Sequence, residues 1–75
     1  MQRVSVESSA LASVGYDAST GTLEVELRSG RVYRYFEVPP GIYERLLVAP
    51  SKGRFYNENV RQIFAVERVW SERTA

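Results

Sequence analysis

Leu23, Val25 and Leu27 alternate with Glu24 and Glu26, and this two-residue period marks Thr22 to Arg28 as a strand with one buried and one wet face. Ahead of it, Ala12, Val14 and Tyr16 fall on one side of a second strand, from Leu11 to Tyr16, in which Gly15 allows another element to approach the backbone closely. Between the two, Asp17-Ala18-Ser19-Thr20-Gly21 collects turn formers and reverses the chain. Ser29-Gly30 marks the next turn, and Arg31 to Val38 is a third strand rich in β-formers. The three strands make an antiparallel meander, and the weak alternation of Val4 and Val6 adds a possible short edge strand.

Pro39-Pro40 ends the sheet, because proline lacks a ladder donor and steers its predecessor away from helix. Ile42, Leu46 and Ala49, joined by Tyr43 and Leu47, then fall at helical spacing and predict a short helix from Pro40 to Ala49. After the Pro50-Ser51 break, Ser51 is placed to cap a second short helix through Phe55 and Tyr56. Val60, Ile63 and Phe64 continue the helical spacing to about Phe64, while Ala65 to Trp70 reads equally as helix or strand. The expected architecture is α+β: a three-stranded antiparallel meander packed against two short helices, in one domain over residues 1–70 with a loose tail at 71–75.

Hairpin register decides which way Tyr33 and Tyr35 face. If Ser29-Gly30 is a two-residue loop, Glu26 opposes Tyr33 and both tyrosines lie on the wet face. If Arg28-Ser29-Gly30 forms a type I turn closed by a glycine bulge, Val25 opposes Tyr33, Leu23 meets Tyr35, and both rings join the buried face. The two-residue turn needs positive φ at serine as well as glycine, so the second register is favoured. Val32, Arg34 and Phe36 then share the other face with Glu24 and Glu26, where Arg34 either pairs with Glu24 or offers its guanidinium plane to a base.

Composition narrows the chemistry. Cysteine and histidine are both absent, which removes disulfides, thiolate nucleophiles, imidazole bases and the commonest transition-metal ligands together. A single aspartate and eight dispersed glutamates leave no paired carboxylates, so neither enzyme chemistry nor a metal or cofactor site is expected. No apolar run reaches the length of a membrane span, and the N-terminus lacks a signal-peptide core, which points to the cytoplasm and away from a membrane partner. At 75 residues a single modest core is expected, with a stability of roughly 3–5 kcal/mol.

Net charge is only +1, yet nine arginines stand against the single Lys52. That preference suits bidentate phosphate contacts and equally suits a general compositional bias toward Arg, Ala and Val. Ser51-Lys52-Gly53-Arg54 combines a helix start, a glycine and two cations, a pattern able to hold a phosphate oxygen, with Arg61 in reach of the same region. On the structural reading, Ser51 merely caps, Gly53 permits close packing, and Asn57 ends a helix at positive φ.

The ordered positions Val14-Gly15-Tyr16-Asp17, Leu23-x-Val25, Gly30-x-x-Tyr33-x-Tyr35, Val38-Pro39, Tyr43, Leu46, Ala49, Ser51-x-Gly53 and Asn57 resemble the KTSC domain. That family comprises modules at the C-terminus of some lysyl-tRNA synthetases and stand-alone bacterial proteins, and its YxY motif matches Tyr33-Arg34-Tyr35. No activity is established for it, and its company with a tRNA-handling enzyme implies RNA binding. The expectation is a non-catalytic module that binds RNA through Lys52, Arg54, Arg61 and Arg34, with Tyr33, Tyr35, Ser51, Gly53 and Asn57 mainly structural. The alternative partner is another protein or a second copy, docked on Val32, Phe36 or Trp70.

Overall fold

The computed structural model describes residues 2–69. In chain order the elements are β1 (Val4–Ser5), β2 (Leu11–Asp17), β3 (Thr22–Leu27), β4 (Val32–Tyr35), α1 (Pro40–Val48), α2 (Lys52–Asn59) and β5 (Val66–Val69). The five strands form one antiparallel sheet in the order β1-β2-β3-β4-β5, so the expected meander gains an edge strand on each side. Both helices lie in the connection between β4 and β5.

The bulged register holds for the second hairpin: Leu23 opposes Tyr35 and Val25 opposes Tyr33. Gly30 takes φ 98° and its N–H donates to the Leu27 carbonyl at 2.9 Å, closing the Arg28-Ser29-Gly30 loop. The first hairpin departs from simple alternation. Leu11 opposes Leu27, but the next pair is Ser13 with Glu26, so one extra residue bulges from β2. Leu11 therefore takes the buried position that period-two reading assigned to Ala12.

Leu11, Val14, Leu23, Val25 and Tyr35 supply the sheet side of the core, and Leu46, Tyr56 and Val60 close it from the helical side, with Val38 at the junction. α1 starts at Pro40, whose missing N–H costs nothing in a first helical turn, and ends at Ala49, held extended (φ −65°, ψ 136°) ahead of Pro50. Ser51 caps α2 by accepting from the Arg54 N–H.

Two local expectations are corrected and one open alternative is resolved. Helix does not run to Phe64: α2 stops at Asn59, and the chain turns through Gln62 at φ 69°. Asn57 lies inside α2 and does not end it. The ambiguous stretch is strand β5, because the free edge of β4 offers ladder groups that a continued helix would leave unpaired; Val66 sits opposite Tyr35 and Val69 opposite Val32. Trp70 and the 71–75 tail lie outside the described residues.

The other face of the sheet is less wet than alternation implies. A side chain at Gly15 would collide with the Gln2 carbonyl and crowd Arg3, so the N-terminal segment lies against the backbone there. Glu24, directly across from Gly15, is only 6% exposed. Its two carboxylate oxygens accept from Arg3 (2.7 Å) and Arg34 (2.8 Å), which offsets the cost of desolvating the charge. Ser13 donates to Glu26 on the same face at 2.7 Å.

Candidate functional site

Two adjoining recesses flank α2. One, of about 610 Å3, lies at the start of the helix and is lined in part by Glu7, Ser51, Lys52, Gly53, Arg54 and Glu58. The second, of about 630 Å3, lies between the end of α2 and the β3–β4 hairpin, and its walls include Arg28, Arg31, Tyr33, Tyr35, Tyr56 and Arg61. Ser9, Ala10 and Asn57 border both, so the two form one groove along the helix.

The floor of the second recess follows from strand alternation. Arg31, Tyr33 and Tyr35 point to the helical side of β4 at period two, and Tyr56 reaches them from α2. The Tyr35 and Tyr56 hydroxyls hydrogen-bond to each other, with the rings edge to face at 5.9 Å between centroids. Both residues are almost fully buried, at 3% and 5% exposure. Burial raises both phenols above their ordinary pKa; the shared hydrogen bond raises Tyr35 further and pulls Tyr56 back in part, as does Arg61. Each therefore stays protonated near neutral pH, and in the shared bond one hydroxyl donates while the other accepts.

The arginines differ in how firmly they are held. Arg28 donates from Nε to the Ser8 carbonyl (3.0 Å) and from Nη2 to the Val6 carbonyl (3.2 Å), and so pins the segment before β2. Arg31 and Arg61 enter no ion pair or side-chain hydrogen bond among the described residues. Among the described residues no carboxylate lines this recess. The neighbouring recess, by contrast, sets Glu7 and Glu58 against Lys52 and Arg54. There Lys52 Nζ donates to the Ala49 carbonyl at 3.2 Å, and Arg54 pairs with Glu58 at 3.1 Å.

The structure thus brings Arg61, Tyr33, Tyr35 and Asn57 into one cleft and leaves Lys52 and Arg54 in the adjoining one. Arg34 is on the opposite face of the sheet, across from Glu24, whose carboxylate raises the guanidinium's pKa. It does not join the basic patch. Ser51 caps, and Gly53 lets α2 approach Ala10, since a Cβ there would stand 3.0 Å from the Ala10 methyl carbon. Val32 and Phe36 are half-buried. Sequence reading missed Arg31 and Tyr56, although the spacing Arg31-x-Tyr33-x-Tyr35 already placed Arg31 on the tyrosine face. Tyr56 joins only through the packing of α2.

An antiparallel sheet with both helices inserted before its last strand defines a small α+β domain whose one side carries a tyrosine-floored, arginine-rimmed cleft. The KTSC domain family model matches residues 7–64, and the chain belongs to that family. Over 58 residues it is 50% identical to an uncharacterized protein of Stutzerimonas stutzeri, covering 77% of this chain and 82% of that one. It is 41% identical over 63 residues to a lysine–tRNA ligase of Nostoc punctiforme, a match covering 84% of this chain but 11% of the ligase. The crystal structure of a KTSC domain protein from Yersinia pestis superposes with a TM-score of 0.90 at 33% identity, covering 92% of this chain and 97% of that one.

Among the described residues no group of acidic or imidazole side chains is arranged to hold a metal, and no helix is long and apolar enough to cross a membrane.

Proposed function

We propose that this domain is a non-catalytic RNA-binding module of the cytoplasm, and that RNA lies along the groove beside α2 with its phosphates on Arg61 and Arg31. The observation that carries this reading is the second recess: among the described residues it has three arginines, two of them without a side-chain partner, beside a half-exposed Tyr33 ring, and no carboxylate in the lining. Cations without local acids attract a polyanion, and the tyrosine provides a ring face for an unstacked base. The lysine–tRNA ligases that contain a similar segment handle an RNA, which favours the same ligand class.

Catalysis has little to work with. The chain has neither histidine nor cysteine, and the Tyr35 and Tyr56 phenols are held protonated by burial, so no group in the cleft is poised as a base near neutral pH. Arg34 leaves the proposed interface because Glu24 already engages it. Lys52 and Arg54 contribute at most secondary contacts where the groove continues.

Amide chemical-shift mapping with total tRNA at two salt concentrations tests the reading. The expected shifts fall on residues 28–35 and 56–62 and shrink as salt rises, because binding releases counterions from the phosphates. No shift at either salt concentration overturns it.

A further inference from the structure

The two buried hydroxyls at the floor of the cleft have two hydrogens between them and only one bond to each other. Whichever phenol donates, the other O–H is left with no protein acceptor among the described residues. Tyr33 adds a third hydroxyl in the same lining that bonds to no described residue. Arg31 and Arg61, whose guanidiniums have no partner among the described residues, line the same recess. Among the described residues the recess therefore presents hydroxyl and guanidinium donors and not one carboxylate acceptor. Buried donors require acceptors, and several donors converging with positive charge fit an anionic oxygen cluster.

Access narrows the choice further. Tyr35 and Tyr56 are only 3% and 5% exposed, so the floor admits a group that protrudes from its parent molecule and excludes the flank of a folded helix. An internal phosphodiester is flanked by sugars on both sides and offers two non-bridging oxygens. A terminal phosphomonoester is bare on one side, offers three, and carries close to two negative charges at neutral pH. A base edge mixes donors with acceptors and matches a donor-rich floor less well.

We infer that the cleft receives the terminal phosphate of an RNA strand end, its oxygens accepting from the tyrosine floor and from Arg31 and Arg61. This rests on the RNA-binding reading above and specifies which part of the RNA enters the recess. The first nucleotide lies against Tyr33, and the following strand runs past Asn57 along the groove.

The test compares single-stranded RNA oligonucleotides of one sequence bearing a 5′-phosphate, a 3′-phosphate or no terminal phosphate, with AMP and inorganic phosphate alongside, by fluorescence anisotropy and competition. One phosphorylated end binds about tenfold tighter than the unphosphorylated strand, as expected for charge-assisted hydrogen bonds. Arg61→Gln abolishes that preference. Tyr33→Phe, which removes a hydroxyl with no partner among the described residues, reduces it by about threefold. Equal binding of all three strands overturns the inference and leaves the RNA reading standing, as does binding of total tRNA with no response to any of the oligonucleotides. AMP binding as tightly as the phosphorylated strand overturns the strand end as the source of the phosphate, and with it the RNA reading. Absence of binding by every RNA overturns both.

Discussion

The two ends of α2 carry similar numbers of cations and offer them very differently. At the start, Ser51, Lys52 and Arg54 look in the sequence like a phosphate cradle, but Lys52 is bonded to the Ala49 carbonyl, Arg54 to Glu58, and Glu7 joins Glu58 in the same recess. Beyond the end, Arg61 lines one recess with Arg31 and three tyrosines, and no acid is among the described lining residues. Surface ion pairs are weak and Arg54 can leave its partner at little cost, yet the local carboxylates still offset the field that a phosphate would sense. Recognition follows from which donors the fold leaves uncompensated, and clustering of cations along the chain is a poor guide to that.

The largest effect should come from removing the cleft floor. Tyr35→Ala deletes a buried ring that packs on Tyr56 and is expected to cost about 3–5 kcal/mol, comparable to the whole stability of so small a domain, so urea titration followed by circular dichroism should find it largely unfolded. The comparison itself is tested by two double variants. Arg31→Ala with Arg61→Ala should lower affinity for single-stranded RNA by about tenfold to a hundredfold and shrink the salt slope by roughly 1.4, whereas Lys52→Ala with Arg54→Ala should cost about threefold or less. The reverse ranking in an anisotropy titration would transfer the interface to the start of the helix.

A smaller effect is expected where α2 meets the segment before β2. Gly53→Val places carbon against Ala10 and should destabilise by about 1–2 kcal/mol in urea, without a specific loss at the Arg61 end. Alkaline titration isolates the floor. Because burial raises Tyr35 and Tyr56 above their unfolded pKa, the stability they contribute is fully present below about pH 10 and is lost as pH rises toward their folded values. A Tyr35→Phe with Tyr56→Phe variant should show a shallower decline above that pH. Ser51→Ala should be mildest, about 0.5–1 kcal/mol, since its bond to the Arg54 N–H is long at 3.4 Å.

Much of the fold could be read from local chemistry. The alternation in β3, the conformational demands of Ser29-Gly30, the two prolines before α1 and the Ser51 cap each act over a few residues, and each appears where those residues require it. The favoured tyrosine register rested on glycine, and not serine, being suited to positive φ, and Gly30 does adopt φ 98°. The bulge at Leu11–Ser13 was hidden, because alternation identifies a face but not a skipped residue. β5 was hidden as well: Val66–Val69 is nearly all exposed and has no strong period, so it becomes a strand only because the β4 edge is there to pair with it.

The candidate site divides along the same line. By itself the sequence favoured Tyr33 and Tyr35 facing inward and Arg34 outward, from strand alternation and the demands of one turn, and the observed register agrees. Only the tertiary structure decided between the two roles open to Arg34 by pairing it with Glu24, brought Tyr56 to complete the floor, and set Arg31 and Arg61 in one recess with no counterion among the described residues. Those outcomes depend on contacts between residues about 10 to 30 positions apart, and a charge's availability is set by its neighbours in space, which local pattern does not encode.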